Sequence, residues 1–319
     1  MSVLTFFVQA LSVCVVVAAA GVAPAQDWPG KPIRILTGAA GGGSDFVSRQ
    51  IAQGLTGPLG QPVVVDNRPG AVLPIEAVAK SPPDGYSLMV QGSTVWVFPL
   101  LQKAPYDPVK DLAPISLVVR EINVLAVHPS LPVKSVRDLI ALARAQPGAL
   151  NYGSTTGGMQ HLGTELFKSM TKTNIVRIPY KAVAAVATAA VSGEIQVVLL
   201  DAAFLMPQVK AGKLKALAVT SGTPSALVPG VATLSDSGLP GFDVVGRTGF
   251  YAPAGTPTAI VNRLNQEVVR LVGRQDIKEK LLGSGVEPVG STPAELATII
   301  KTEQARLAQV IKDAAIRID

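Results

Sequence analysis

Residues 35–55 read ILTGAAGGGSDFVSRQIAQGL. Ile33, Ile35 and Leu36 predict a buried strand, the glycine run a turn, and Val47, Ile51 and Leu55, four apart, the apolar face of a helix. Gly41, Gly42 and Gly43 have no Cβ, so a ligand can approach the main chain, and the first amides of a helix lack an intrahelical acceptor. With the positive end of the helix dipole, such a terminus attracts a carboxylate, sulfate or phosphate. The same residues also fit a plain turn with Ser44 as N-cap and nothing bound, and the stretch alone does not choose.

Outward from this unit, strand-like and helical runs alternate in α/β fashion. Pro62 to Asp66 (PVVVD) is followed by a short helix around Ile75 to Lys80 and by YSLMVQGST, which ends on Gly92, Ser93 and Thr94. A strand from Val124 precedes a helix opened by Ser135 with Asp138 three residues on, as in a capping box. The opening pattern then recurs: LNYG, a loop of Ser154, Thr155, Thr156, Gly157 and Gly158, and a helix starting near Gln160 or His161. IVRIPY, an alanine-rich helix from Ala182 to Val191, IQVVLLD ending on Asp201, a helix reaching Lys210 and LKALAVT continue the alternation. These strands read as parallel and buried on both faces. A Pro, Gly and Ser-rich stretch leads to a crossing strand in FDVVGRTGFYAPAGTP. Helices then run from Pro257 to Val272, Asp276 to Leu282 and Pro293 to about Ala315.

The chain has 319 residues, 48% of them hydrophobic, enough for one large or two medium domains with real cores. Its net charge of +6 is scattered without a basic block, and only 5% of residues are aromatic, which argues against nucleic acid. Val3 to Ala20 is almost wholly apolar and Ala23-Pro24-Ala25 supplies small residues for a signal peptidase, so residues 1–25 are read as a signal peptide. No Lys or Arg precedes the apolar run, which keeps a retained anchor as the alternative. Cys14, the only cysteine, lies inside this segment, so the mature fold uses neither disulfides nor thiolate chemistry.

Catalytic and metal motifs are poorly supplied. His128 and His161 are the only histidines and stand far apart, and no carboxylate cluster has ligand spacing, so neither a metal nor a cofactor is expected. His161 opens a helix, where it either satisfies local polar groups or faces a cleft. There is no GxSxG elbow, and the SxxK at Ser169 to Lys172 lacks its companion motifs. The glycine run is neither a P-loop nor a dinucleotide fingerprint. Asp45 opposes a bound anion unless it points along the helix or holds the turn amides from the far side. Asp201, at a strand end, can meet a ligand ammonium or hydroxyl, or cap the following helix.

WPGKPIRIL, GGGSD, GQPVVVDNRPGA, PPDGYSLMV, PYDPVKDLAPISL, LNYGS, HLGTELFKSM, IPYK, AGKLKALAVTS, GLPGF, APAGTP and VEPVGSTP occur in this order. In order and spacing they resemble the exported solute receptors of tripartite tricarboxylate transporters, the Bug receptors, over nearly the whole mature chain. The resemblance implies an α/β, two-domain periplasmic-binding-protein fold of the type II kind, closing on a small carboxylate. Residues 26–123 with 247–319 would form one domain and 124–246 the other. The family's ligand loops correspond to Ala39, Ala40, Gly41, Gly42, Gly43, Ser44 and Asp45, to Gly92, Ser93 and Thr94, and to the stretch from Ser154 to His161, with Asp201 as a fourth contact. A periplasmic monomer that hands an organic acid to membrane permease subunits is expected. The rival readings are an exported hydrolase using Ser154 or Ser169, with His161 as the available base, and a ligand-dependent sensor on the same fold.

Three departures stand out. Ala40 occupies the place of a usual proline, GSTTGGMQHL is one residue shorter than the family loop, and Asp201-Ala202 replaces Asp-Asn. Near the crossing strand, Arg247 stands where the family presents an aromatic residue. Facing the cleft, its guanidinium would favour a ligand with a second carboxylate; on the rim or outer surface its charge would hardly matter.

Overall fold

The computed structural model describes residues 28–70, 72–155, 158–313 and 316; the segment read as a signal peptide, Thr156 and Gly157 lie outside the described residues. The first unit folds as its periodicity requires. Strand β1 (Ile33–Thr37) runs into helix α1 (Gly43–Leu59), and Val47, Ile51 and Leu55 are buried against Ile33 and Ile35. Strand β2 (Val63–Asn67), helix α2 (Leu73–Ala79), strand β3 (Ser87–Gln91) and helix α3 (Thr94–Leu101) follow. Leu36 and Met89 project to the opposite side of the sheet from Ile35 and Leu88, so both faces are covered.

A ten-residue strand, β4 (Leu112–Glu121), crosses to β5 (Asn123–Val127) through the buried Ile122. The second half contains α4 (Val136–Ala145), β6 (Asn151–Ser154), α5 (Met159–Thr171), β7 (Val176–Pro179), α6 (Val183–Ser192), β8 (Val197–Asp201), α7 (Ala202–Lys210) and β9 (Lys215–Val219). The chain returns along β10 (Gly246–Pro253) and closes with α8 (Thr258–Gly273), α9 (Gln275–Gly283), β11 (Glu287–Pro288) and α10 (Pro293–Asp313). One sheet has the order β11-β4-β10-β3-β1-β2 and the other β7-β6-β8-β5-β9. Apolar clusters line both faces of each sheet. Among the described residues no helix is long and apolar enough to cross a membrane.

Several expectations need correction. Strands β7, β8 and β9 run in one direction, as read, but the second sheet is mixed, because β5 runs antiparallel between β8 and β9. Strand β7 is an edge strand with exposed Val176, not a strand buried on both faces. The N-cap of α1 is Gly42, not Ser44. Helix α3 and strand β4 lie in stretches whose patterns conceal them. Residues 94–101 are too uniformly apolar to show a helical period, and Pro114 argues against a sheet strand until its place is seen. It lies beside a register shift between Phe250 and Tyr251, and β11 pairs only with the far end of β4 at Val119 and Arg120.

The α1–α8 contact rests on an absent side chain. A Cβ at Gly54 would lie 2.9 Å from Leu271 Cγ and closer still to both of its methyls. Replacing a helix-interior glycine by alanine ordinarily stabilises by roughly 0.5–1 kcal/mol. Gly54→Ala is expected to reverse that sign and lower the denaturation midpoint, because Leu271 is buried and cannot withdraw without disturbing the core. Urea titration of the variant against the wild type measures it.

Candidate functional site

A cleft of about 500 Å³ opens between the two sheets. Its first wall is built from strand ends and helix starts: Gly43 and Ser44 from α1, Gln91 at the end of β3, and Gly92, Ser93 and Thr94 leading into α3. Val97, Phe98 and Leu101 of α3 add an apolar floor. The facing wall consists of Thr155, Gly158, Met159 and Gln160 at the start of α5, with Asp201 before α7. Glu121, Gly246 and Thr248, on the crossing strands, line the back.

Helices α1, α3, α5 and α7 all start at this cleft, and none has a side-chain cap. By contrast, Ser135 caps α4 by accepting from the Asp138 amide at 3.1 Å, as its sequence predicts. The first intrahelical bond of α1 runs from Phe46 N to Gly42 O, and that of α5 from Leu162 N to Gly158 O. The amides ahead of those bonds project from two helix ends that face one another across the cleft, which is the arrangement that stabilises an anion.

Asp45 accounts for the rigidity of the first loop. It does not line the cleft. Its carboxylate accepts from the Gly41 amide at 2.9 Å, from Asn67 Nδ2 at 2.8 Å and from Arg49 Nε at 3.1 Å. Burial works against its ionised form, but the bonds from Asn67, Gly41 and Arg49 outweigh it and hold the pKa below its ordinary value. Gly41 has φ +80°, a left-handed conformation that favours glycine. Asp45 therefore braces the turn from behind, on the side away from a bound anion.

The remaining expected contacts divide clearly. Gly43, Ser44, Gly92, Ser93, Thr94, Thr155, Gly158 and Asp201 line the cleft. Ala39, Ala40, Gly41 and Gly42 form an exposed loop ahead of α1 and, like Asp45, are not among its lining residues. Ser154 is fully buried at the end of β6, where its Oγ accepts from Arg177 Nε at 2.9 Å. His161 is also buried outside the lining, and burial, aided by the Arg177 charge, pushes its pKa down to about 4. The hydrolase reading thus finds neither Ser154 nor His161 on the cleft wall, and Ser169 is exposed near the C-terminal end of α5.

Arg247 is turned away from the cleft by strand parity. Gly246 and Thr248 line the cleft, so the intervening side chain points to the other face of β10. There it bonds Asp243 at 2.8 Å and pairs with Glu303 of α10 at 3.2 Å. The expected dicarboxylate contact is not available to it. Only its backbone serves the site: Arg247 N donates to Ser93 Oγ at 3.1 Å.

Sequence reading passed over Gln91, Glu121, Gly246 and Thr248, and it placed Gln160 within the loop from Ser154 to His161 without singling it out. Gln91 Oε1 accepts from Ser44 Oγ at 3.1 Å and from Gly92 N at 3.0 Å, which fixes the loop between β3 and α3. A polar residue closing the apolar run SLMV was its available signal. Asp201 does not cap α7; its Oδ2 accepts from Gln160 Nε2 at 3.3 Å, and burial pushes its pKa up to about 6. Glu121 accepts from Thr248 Oγ1 at 3.0 Å, while burial and then the Asp201 charge push its pKa up to about 7. Among the described residues, no group of His, Cys, Asp and Glu is arranged to hold a metal.

A raised carboxyl pKa means that the native state binds more protons than the unfolded chain between the two values. The contribution of Glu121 to stability is therefore greatest below its ordinary 4.5 and falls as pH rises towards about 7. Glu121→Gln should flatten the stability profile over that window and melt above the wild type in mildly alkaline buffer. Equal melting temperatures at acid and alkaline pH would contradict the assignment.

A family profile described as "Tripartite tricarboxylate transporter family receptor" matches residues 47–316. Protein BugT of Bordetella pertussis is 32% identical over 312 residues, covering 95% of this chain and 96% of that protein. A protein of R. palustris solved with adipate is 34% identical with a TM-score of 0.75, over 91% of this chain and 99% of the other. MatC from Rhodopseudomonas palustris, solved with bound malate, is 27% identical with a TM-score of 0.69, over 89% of this chain and 100% of the other.

Proposed function

Because the chain belongs to the tripartite tricarboxylate transporter receptor family, we propose that it is an exported receptor that captures a small organic acid in the cleft and delivers it to a membrane permease. The observation that carries this reading is the pair of uncapped helix ends, α1 and α5, facing each other across the cleft. A carboxylate there accepts from backbone amides and from the hydroxyls of Thr94 and Thr155, while the Ser44 and Ser93 hydroxyls donate to Gln91 Oε1 and to the Arg247 carbonyl. Charge-assisted hydrogen bonds contribute about 1.5–3 kcal/mol each. A handful of them, less the cost of closure, is compatible with the roughly 8 kcal/mol of a micromolar receptor. The adipate and malate bound to the two R. palustris relatives support the same ligand class.

The proposed lobes are residues 26–123 with 247–319, and 124–246. They are joined where β4 passes into β5 and where the chain re-enters β10. Closure of one lobe on the other would bring the two helix ends onto a single ligand. Export to the periplasm follows from the signal-like N-terminus and the family.

Two measurements test the reading. Gly43 lines the cleft, and a Cβ added there meets nothing within 4 Å, whereas one at Gly42 would crowd Ala39 O at 3.3 Å within the turn itself. Gly43→Val should therefore keep the fold and weaken carboxylate binding by at least about tenfold. Calorimetric titration with organic acids checks this, and unchanged affinity would reduce the cradle to a turn. Small-angle scattering should give a smaller radius of gyration at saturating ligand than without it. An identical radius in both states would count against hinge closure.

A further inference from the structure

The cleft is chemically lopsided. Its helix-end walls offer amides and hydroxyls, while Glu121 at its back and Asp201 on the facing wall lie near enough for the charge of Asp201 to act on Glu121. Among the described residues, no Lys or Arg lines it. Both carboxyls are half-buried and already oriented as acceptors, by Thr248 Oγ1 at 3.0 Å and by Gln160 Nε2 at 3.3 Å. Room for Glu121 is built into the opposite strand. Gly246 is its register partner, and a Cβ at that position would overlap Glu121 Oε2.

A separate observation points the same way. Asn123 pairs directly with Asp201, so the two side chains lie on the same face of the sheet. Asn123 is fully buried, and neither its Nδ2 nor its Oδ1 has a hydrogen-bond partner among the described residues. Unspent polar groups of this kind are rare in a finished interior and mark a place where a ligand or ordered water completes the structure.

A second anionic group at this end would meet two carboxyls and no compensating cation. An ammonium would meet two carboxylates with an amide nearby. Resting on the receptor reading, we infer that the cleft selects a zwitterion: a small monocarboxylate whose far end carries an ammonium. The carboxylate lies on the helix N-termini and the cation between Glu121 and Asp201.

The test is calorimetric titration in mildly alkaline buffer with ω-amino acids and dicarboxylates of matched chain length. For the best-fitting length, the amino acid is expected to bind at least about tenfold more tightly than its dicarboxylate partner. Glu121→Gln and Asp201→Asn should each narrow that ratio by about tenfold or more, with melting curves verifying that each variant is folded. If the variants do not fold, the wild-type ratio decides alone. A dicarboxylate bound as tightly as the amino acid, or a ratio unmoved in both folded variants, overturns the inference while leaving a carboxylate receptor in place. Binding of none of these carboxylates would overturn both.

Discussion

The antiparallel pairing of β4 with β10 is the constraint on which the rest of the molecule depends. These two strands belong to one sheet, and their ends connect it to the other. Register alone decides what each residue near the crossing does. Glu121 lies opposite Gly246, and Thr248 reaches back to the Glu121 carboxyl. Arg247, one residue out of phase, faces the other way and ties Glu303 of the last helix to the strand. A shift of β10 by one residue would turn the Arg247 guanidinium into the cleft beside these carboxyls. The electrostatic sign of the cleft is thus a consequence of strand parity.

The binding surface itself is made by leaving structure unfinished. Away from the cleft, Ser135 caps α4 and Thr292, whose Oγ1 accepts from the Glu295 amide at 3.2 Å, caps α10, while α2, α6, α8 and α9 start without a side-chain cap. At the cleft the chain uses Gly42 and Gly158 as N-caps, which offer no side-chain acceptor. The unfilled amides would leave a flexible turn if nothing else held it. Asp45, Asn67 and Arg49 supply that support from behind, so rigidity and an open amide surface coexist. A carboxylate adjacent to an anion site is then no contradiction, because its lone pairs are engaged on the far side.

Much of this was legible in the sequence, and the failures have physical causes. The strand, glycine turn and helix at residues 33–59 were read correctly because periodicity and turn chemistry agree there. The same agreement identified the helix opened by Ser135. Helix α3 was hidden because it is apolar on every side, with Val95 and Trp96 in the core and Val97, Phe98 and Leu101 on the cleft, and such a segment shows no period. The direction of β5 was hidden because burial on both faces does not distinguish parallel from antiparallel neighbours once the connection is a crossing rather than a hairpin. Of the residues expected on glycine and hydroxyl loops, Gly43, Ser44, Gly92, Ser93, Thr94, Thr155 and Gly158 line the cleft, and their composition carries the signal. Ser154 and His161 have similar composition but are buried, a distinction that depends on which neighbours surround them. Glu121 lies at the end of a strand that was itself missed, and only its partners across the sheet make it part of a site.

The free receptor carries costs that a ligand can recover. Uncapped helix ends lack acceptors, Asn123 lacks partners among the described residues, and two carboxyls are held where ionisation is disfavoured. Each lowers the stability of the empty protein relative to a chain optimised only to fold. For unit charges about 8 Å apart at an effective dielectric near 20, the interaction is on the order of 2 kcal/mol. Charge at one end of a ligand is therefore felt along the whole cleft, and the sign of its far group matters even where no hydrogen bond forms. A receptor with caps and neutral side chains at these positions would be the more stable protein, but it would have lost the amides that receive an anion and the acidic end that tells one ligand from another.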